Sequence, residues 1–468
     1  MRRGQFPLSN LPAWCMLNNI TFTGVSVGDI EARGLGLIAD RNLNDDDDGL
    51  QPLLTIPKEL VLSAAGVEEY AKENKYFRQL LDAAGHQSLR GDILLFLLTQ
   101  LVLSSPDYAG GQGAATAWTE YFKLLPTTVP VPTLWSEPEL SLLRGTSLEP
   151  AVSAKFAVLT KEFNRIRDTT TDLASWNKLI ETDGTITLRD WILLDAFYRS
   201  RSLDLPKSGE SMVPCLDLVN HSSSATAYFE ENSQDEVVLL LRKGANVLIQ
   251  DEITIDYGHD KSAAEMLFSY GFIDPTSTAE SIVLPVESMK DDPLAKAKLY
   301  VFGSAPTLKI TDSNTGVPRW DAPFVHLMCL NDEDGLHFKV LQGIDGSQDL
   351  RMFWQDVDVT EKAERMERLI EGHDLGQIFR LRVVSVVLGI IQQKLEVLAE
   401  ERPLIGSERP HLVQAASQLR AVEKDLFERT YRVLEQEMNR LCQDESVTSY
   451  LAAMNTTQQE DINGEDFT

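Results

Sequence analysis

Apolar and polar positions follow two periods along this chain, and the change between them marks its organisation. From Ile20 to Ile38 the apolar runs are short, Ile20-Thr21-Phe22 and Val25-Ser26-Val27, and glycines at 24, 28, 34 and 36 break them. That pattern predicts brief strands joined by tight turns. Asp45 to Asp48 abut one another before Leu53-Leu54-Thr55-Ile56-Pro57; calcium-loop ligands alternate instead, so the run reads as a solvated loop. Residues 66 to 200 read as helical: Ile93 to Leu98 forms a buried helix core, and Ala151 to Ile166 carries apolar residues every three or four positions. Within it, Gly110-Gly111-Gln112-Gly113 has no strand before it and no GK[ST] after it, so it reads as a flexible connection. Strand-like runs return at Val237 to Leu241, Ala245 to Ile249 and Ile253 to Ile255. A β-rich body is therefore interrupted by a helical insert.

Asp274 to Pro293 reads as a boundary, beyond which long helices are expected over Val359–Ile370, Leu375–Glu401 and Leu412–Cys442. Ile378, Leu381, Val384, Leu388, Ile391 and Leu395 share one helical face, as in a packed bundle. Residues 446–468 are expected to be a disordered acidic tail, since Thr456 to Thr468 holds Glu460, Asp461, Glu465 and Asp466 and no basic residue.

Composition narrows the partners. The chain has 468 residues, is 43% hydrophobic, and holds 7 Trp, 18 Phe and 11 Tyr, enough to bury a large core. With 43 basic and 71 acidic side chains its formal charge is −28. That argues against nucleic acid as a partner, because affinity for phosphate comes from Lys and Arg, and it would steer in a basic protein. Cys15, Cys215, Cys329 and Cys442 are too scattered to form a structural zinc site and suit a reducing compartment. The start of the sequence reads as lacking a secretory signal. The longest apolar stretches, Ile93–Leu103 and Val383–Ile391, fall short of the roughly 20 residues that span a bilayer. A soluble protein is expected, cytoplasmic, with the nucleus as a second compartment.

Four segments carry the chemistry: Arg33-Gly34-Leu35-Gly36-Leu37-Ile38; Arg199-Ser200-Arg201; Val213-Pro214-Cys215-Leu216-Asp217-Leu218-Val219-Asn220-His221-Ser222; and Asp251 to Gly258 followed by Ala264 to Phe272. Taken singly, the glycines could be a hairpin turn, His221 a core histidine, Asn220 a turn residue and Tyr257 a cross-strand packing aromatic. A Cys215/His221 nucleophile pair is a further alternative, weakened by the apolar surroundings of Cys215. In their order and spacing the segments resemble the SET-domain protein lysine methyltransferases. The resemblance is to the subgroup of the Rubisco large-subunit methyltransferase and the fungal ribosomal-protein and elongation-factor methyltransferases.

That resemblance implies an α+β fold with a β-clip core of short strands and a pseudoknot, over residues 18–275 with the insert at 66–200. It also implies an all-α substrate-binding domain over 290–445. S-adenosyl-L-methionine is the implied cofactor, with Arg33 (through its backbone), Gly34, Leu35, Gly36, Arg201, Asp217, Asn220, His221, Tyr257 and Phe272 as its contacts. Tyr257 is the implied catalytic residue, and Tyr228, Tyr270 and Phe272 are candidates for the wall of a lysine channel. Methyl transfer asks for aligned donor and acceptor and an uncharged amine; an apolar, aromatic channel lowers the amine's pKa from its usual value near 10.4. The implied substrate is a basic protein of the translation apparatus, ribosomal protein or elongation factor, without zinc, nucleic acid or membrane. Histones as substrates and a catalytically silent SET-like binding module remain the alternatives.

Overall fold

The computed structural model describes all residues except 32, 45–50, 109–114, 276–279, 313–315, 343–347, 401–403, 405 and 454–468. The Asp45 to Asp48 run, the glycine-rich stretch at 110–113 and the tail beyond 453 lie outside the described residues.

The chain divides into two compact units. One comprises Met1–Glu137, Ala151–Lys261 and Glu265–Thr278. Its strands are short because glycines and turns cut them: β1 (Thr21–Phe22), β2 (Val25–Ile30), β3 (Gly34–Ala39), β4 (Leu43–Asn44) and β5 (Leu54–Ile56) precede the helices. After them come β6 (Ser202–Leu205), β7 (Gly209–Met212), β8 (Asn220–His221), β9 (Ala227–Glu231), β10 (Val237–Leu241), β11 (Asn246–Val247) and β12 (Glu252–Ile255). The expected strand at Ala245 to Ile249 pairs only at Asn246 and Val247, because Gln250 turns at φ 73°.

Two four-stranded sheets result, ordered β1-β5-β10-β9 and β2-β3-β12-β8. The second is out of chain order. Strand β12 pairs antiparallel with β3 and parallel with β8, Thr254 opposite Asn220 and Ile255 opposite His221. One strand thus brings three distant motifs side by side.

Helices fill the stretch between β5 and β6. The helix Leu89–Ser104 is apolar on every side and is buried along its length from Ile93 to Val102, which a helix can be only when neighbours cover its whole circumference. Ser88 caps its start by accepting from Gly91 N–H. The helix Leu188–Arg201 opens with a capping box formed by Thr187 and Asp190. It ends with Arg199 and Arg201 in its last turn, where cations are favoured by the helix dipole.

The second unit comprises Pro138–Pro150, Ser262–Ala264 and Ala279–Thr468. The long helices Gly376–Ala399 and Pro410–Cys442 pack their apolar faces on one core containing Phe379, Val383, Val384, Val387, Leu426, Phe427 and Leu434. The region is not purely helical. Two three-stranded antiparallel sheets accompany the helices: β13 (Ser281–Pro285), β14 (Thr307–Thr311) and β15 (Arg319–Asp321), then β16 (Leu336–Gln342), β17 (Gln348–Trp354) and β18 (Val357–Asp358). Leu336, Met352 and Trp354 of the second sheet are buried in the core and Phe338 packs against it, while the outer ends of its strands contribute nothing to it, so its period-two pattern is short in the sequence. Residues 445–453, expected within a disordered tail, are helical.

Glu423 is buried in this unit, its carboxylate accepting from Ser147 N–H at 2.8 Å and from the Ser147 hydroxyl. Burial pushes its pKa up to about 7, against the opposing hydrogen bonds from Ser147. The folded state therefore binds a proton more tightly than the unfolded chain. Its stability contribution is full below pH 4.5 and is lost as pH rises toward 7, by about 3 kcal/mol in all. Glu423→Gln keeps an acceptor for the Ser147 N–H and a donor for its hydroxyl. Amide exchange across Pro410–Cys442 should then slow at pH 8 and lose much of its dependence between pH 5 and 8. An unchanged pH slope would refute the assignment.

Candidate active site

Strand β3 enters the site at Gly34, whose φ of +79° an L side chain rarely adopts and whose missing Cβ faces open space. At Gly36 a Cβ would stand 2.8 Å from Asn220 Nδ2 and 2.9 Å from Glu252 Oε1. The absent side chain lets Asn220 donate to Leu35 O at 3.1 Å and to Glu252 Oε1 at 2.7 Å. With its amide hydrogens committed, the Asn220 oxygen is left as an acceptor. Arg33 spends its guanidinium on Glu252 and on the backbone carbonyl of His221. Its side chain is a clasp between β3, β8 and β12.

His221 is buried and fully engaged. Its Nδ1 accepts from Tyr257 N–H at 3.0 Å, which assigns the proton to Nε2, facing Asp274 Oδ2 at 3.1 Å. The Cys215/His221 nucleophile pair is not formed. Cys215 is buried with its Sγ 3.6 Å from Cys15 Sγ, and desolvation pushes its thiol pKa well up.

Arg201, delivered by the end of its helix, pairs with Asp217 Oδ2 at 2.9 Å and donates to the Asp217 carbonyl at 3.1 Å. The other Asp217 oxygen accepts from the Tyr121 hydroxyl, which in turn accepts from Cys215 N–H at 2.9 Å. Asp217, expected to contact a cofactor, lines the cavity of this site, and its carboxylate holds Arg201 and Tyr121. Arg201 Nε is buried with no partner among the described residues.

Arg201, Asp217, Val219, Ile255, Tyr257 and Tyr270 line a cavity of about 740 Å³, a size that admits a small molecule or an extended side chain. The Tyr257 hydroxyl donates to Val219 O at 2.7 Å, and burial keeps its pKa above the ordinary phenol value, so it is a neutral hydroxyl at any physiological pH. Tyr257 and Tyr270 lie with ring centroids 4.6 Å apart, and Phe272 packs 6.4 Å from Tyr257 and 6.0 Å from His221. Phe272 supports this aromatic group from outside the cavity lining. Tyr228, expected in a channel wall, does not line the cavity: it stands exposed on β9, and its neighbour Phe229, on the opposite face, does.

The residues fit a ligand bearing an ammonium and a carboxylate. Arg201 Nε is an unpartnered buried donor on the cavity, the Asn220 oxygen is an available acceptor, and a Cβ at Gly34 would meet nothing within 4 Å; Gly34, Gly36, Asn220 and His221 are not among the residues that line the cavity. Tyr121, Glu252, Asp274, Phe229 and Lys261 join the site without having been singled out in the sequence. Among the described residues no group of three or more His, Cys, Asp or Glu could hold a metal ion, and no helix is long and apolar enough to cross a membrane.

No family model matches the sequence. The chain is 29% identical over 338 residues to SET domain-containing protein 8 of Schizosaccharomyces pombe, spanning 71% of this chain and 74% of that one. It is 26% identical to the chloroplastic Rubisco large-subunit N-methyltransferase of Pisum sativum, spanning 65% of this chain and 60% of the pea enzyme. It is 22% identical to the actin-histidine N-methyltransferase of Gallus gallus over 71% of this chain and 54% of that one. Among solved structures, the SET domain of LSMT bound to lysine and AdoHcy superposes with a TM-score of 0.68 at 21% identity, covering 94% of this chain and 93% of that one. Rubisco LSMT bound to AdoMet gives 0.67 at 21% identity, covering 94% of each. The chain thus has the SET-domain fold of the Rubisco large-subunit methyltransferase, and its sequence relatives are named as SET-domain proteins and protein methyltransferases.

Proposed function

We propose that this chain is an S-adenosyl-L-methionine-dependent protein-lysine N-methyltransferase acting on a basic, non-histone protein of the translation apparatus, in the cytoplasm and the nucleus. The observation that carries the reading is the neutral Tyr257 hydroxyl, anchored on Val219 O at 2.7 Å in the wall of a cavity shared with Tyr270 and Arg201. When bound, the cofactor supplies a methyl group activated by a sulfonium. Arg201 and Asn220 would hold its carboxylate and ammonium, and Gly34 to Gly36 would admit its close approach. The aromatic wall excludes water and so favours the uncharged form of an incoming amine. The Tyr257 hydroxyl orients that amine against the methyl carbon.

Residues 18–275 carry the catalytic chemistry on this reading, and 290–445 dock the substrate protein. Relatives named for Rubisco and for fructose-bisphosphate aldolase support a non-histone acceptor. The −28 charge supports a basic one, and the motif resemblance supports the translation apparatus.

Incubating the purified chain with methyl-labelled S-adenosylmethionine and fractionated ribosomal and cytosolic protein, then mapping label by mass spectrometry, tests this. Label on lysine of a ribosomal protein or elongation factor is expected. Label on histidine would transfer the reading to the acceptor named for the actin-directed relatives. Cofactor binding without transfer to any fraction would leave a silent binding module in its place.

A further inference from the structure

Lys261 sits where the proposed acceptor would arrive. It lines the same cavity as Tyr257 and Tyr270, donates from Nζ to the Tyr257 carbonyl, and lies 5.9 Å from the Tyr270 ring centroid. The Tyr270 hydroxyl meets the same carbonyl at 3.5 Å. The backbone is shaped for this contact: Gly258 has φ +129°, and a Cβ there would come within 2.4 Å of Lys261 Nζ. Among the described residues no carboxylate oxygen lies within 4.0 Å of that ammonium.

The cavity's other charges are balanced against one another. Arg90, Lys155 and Arg199 converge on Asp195. Arg201 is paired with Asp217. Asp204 and Glu210 lie on the β6–β7 hairpin, and Asp256 accepts from Gly258 N–H at 2.8 Å and faces His221 and His259 at 3.9 Å. Burial, with Asp256 nearby, keeps the Tyr270 phenol protonated. Lys261 is therefore the cavity cation whose charge is met by a carbonyl dipole and a ring face and not by a carboxylate.

We propose that Lys261 is a positioning residue whose ammonium repels a protonated acceptor amine and admits the uncharged one, thereby selecting the nucleophilic form. Two cations sharing one aromatic cavity disfavour each other, and an acceptor amine that arrives without its proton avoids that repulsion while Lys261 stays tethered to the Tyr257 carbonyl. The inference rests on the reading of this cavity as an acceptor channel, and it adds an electrostatic filter to it.

Butylammonium is a probe with the length and charge of a lysine end. Its affinity for the S-adenosylhomocysteine complex would be measured by calorimetry from pH 7 to 10, for wild type, Lys261→Met, Lys261→Gln and Lys261→Arg. Wild-type affinity should rise with pH, with a midpoint about one unit below that of Lys261→Met and Lys261→Gln. At pH 7 those two variants should bind the cation about tenfold more tightly, while Lys261→Arg should follow wild type. The pH profile of kcat/KM on the labelled acceptor protein should shift the same way. A structural role alone would lower activity at every pH without moving the midpoint, and unmoved midpoints would overturn the filter while leaving the methyltransferase reading intact. Wild type that neither binds butylammonium nor transfers label would overturn both.

Discussion

Tyr257→Phe is expected to lower kcat by about 10²- to 10³-fold while leaving cofactor affinity within a few fold, the signature of an interaction made chiefly in the transition state. The ring contacts with Tyr270, Phe272 and His221 depend on the aromatic face, which phenylalanine preserves. What is removed is one hydroxyl whose hydrogen is committed to Val219 O at 2.7 Å, leaving its lone pairs for the reacting groups. Because burial keeps that hydroxyl protonated, it is a fixed dipole and not a base, and the pH dependence of the variant should match that of wild type. The lost bond to Val219 costs about 1 kcal/mol of stability, far too little to unfold the chain. Single-turnover kinetics with saturating cofactor would check this; equal rates in the two proteins would remove the hydroxyl from the chemistry.

The parts of this site written in adjacent residues were legible, and the parts made by long-range contact were not. Gly34, Gly36, Asn220 and Tyr257 sit in short motifs, and strand β12 pairs with the strands that carry the first and third of them. Periodicity placed the helices Leu89–Ser104, Gly376–Ala399 and Pro410–Cys442 because each presents a long apolar face or surface. It overlooked β16 and β17, whose alternation is diluted by exposed Val340 and Leu341. On β9, period two shows that Tyr228 and Phe229 face opposite ways but not which of them looks inward; only the packing of β9 on β10 decides it. Tyr121 left no local signal. It lies 96 residues from Asp217, in a helix whose apolar neighbours make it look like one more core aromatic. Arg201 and Asp217 were each read as cofactor contacts by resemblance, and their pairing with each other left no signal in the sequence.

Asp217→Ala follows from that pairing and is expected to destabilise the chain by about 3–5 kcal/mol, as breaking one partner of a buried ion pair does. The Asp217 carboxylate is 2% exposed and Arg201 16% exposed, so neither water nor another acid can replace the lost charge. The Tyr121 hydroxyl, still accepting from Cys215 N–H, would also lose its own acceptor. Thermal midpoints should fall by about 6–20 °C for a unit of this size. Asp217→Asn, which keeps one oxygen for one of the two donors, should fall less. The double variant Asp217→Leu with Arg201→Met replaces the ion pair by apolar groups of similar volume, and it should recover much of the lost stability because no charge is left buried alone. Activity should not return with it, since Arg201 Nε is the unpartnered donor of the proposed cofactor site. Calorimetry of S-adenosylhomocysteine binding, run beside the melts, separates the two effects. If the double variant regained both stability and cofactor affinity, Arg201 and Asp217 would be supports of the fold alone, and the carboxylate-binding role would have to pass to another donor.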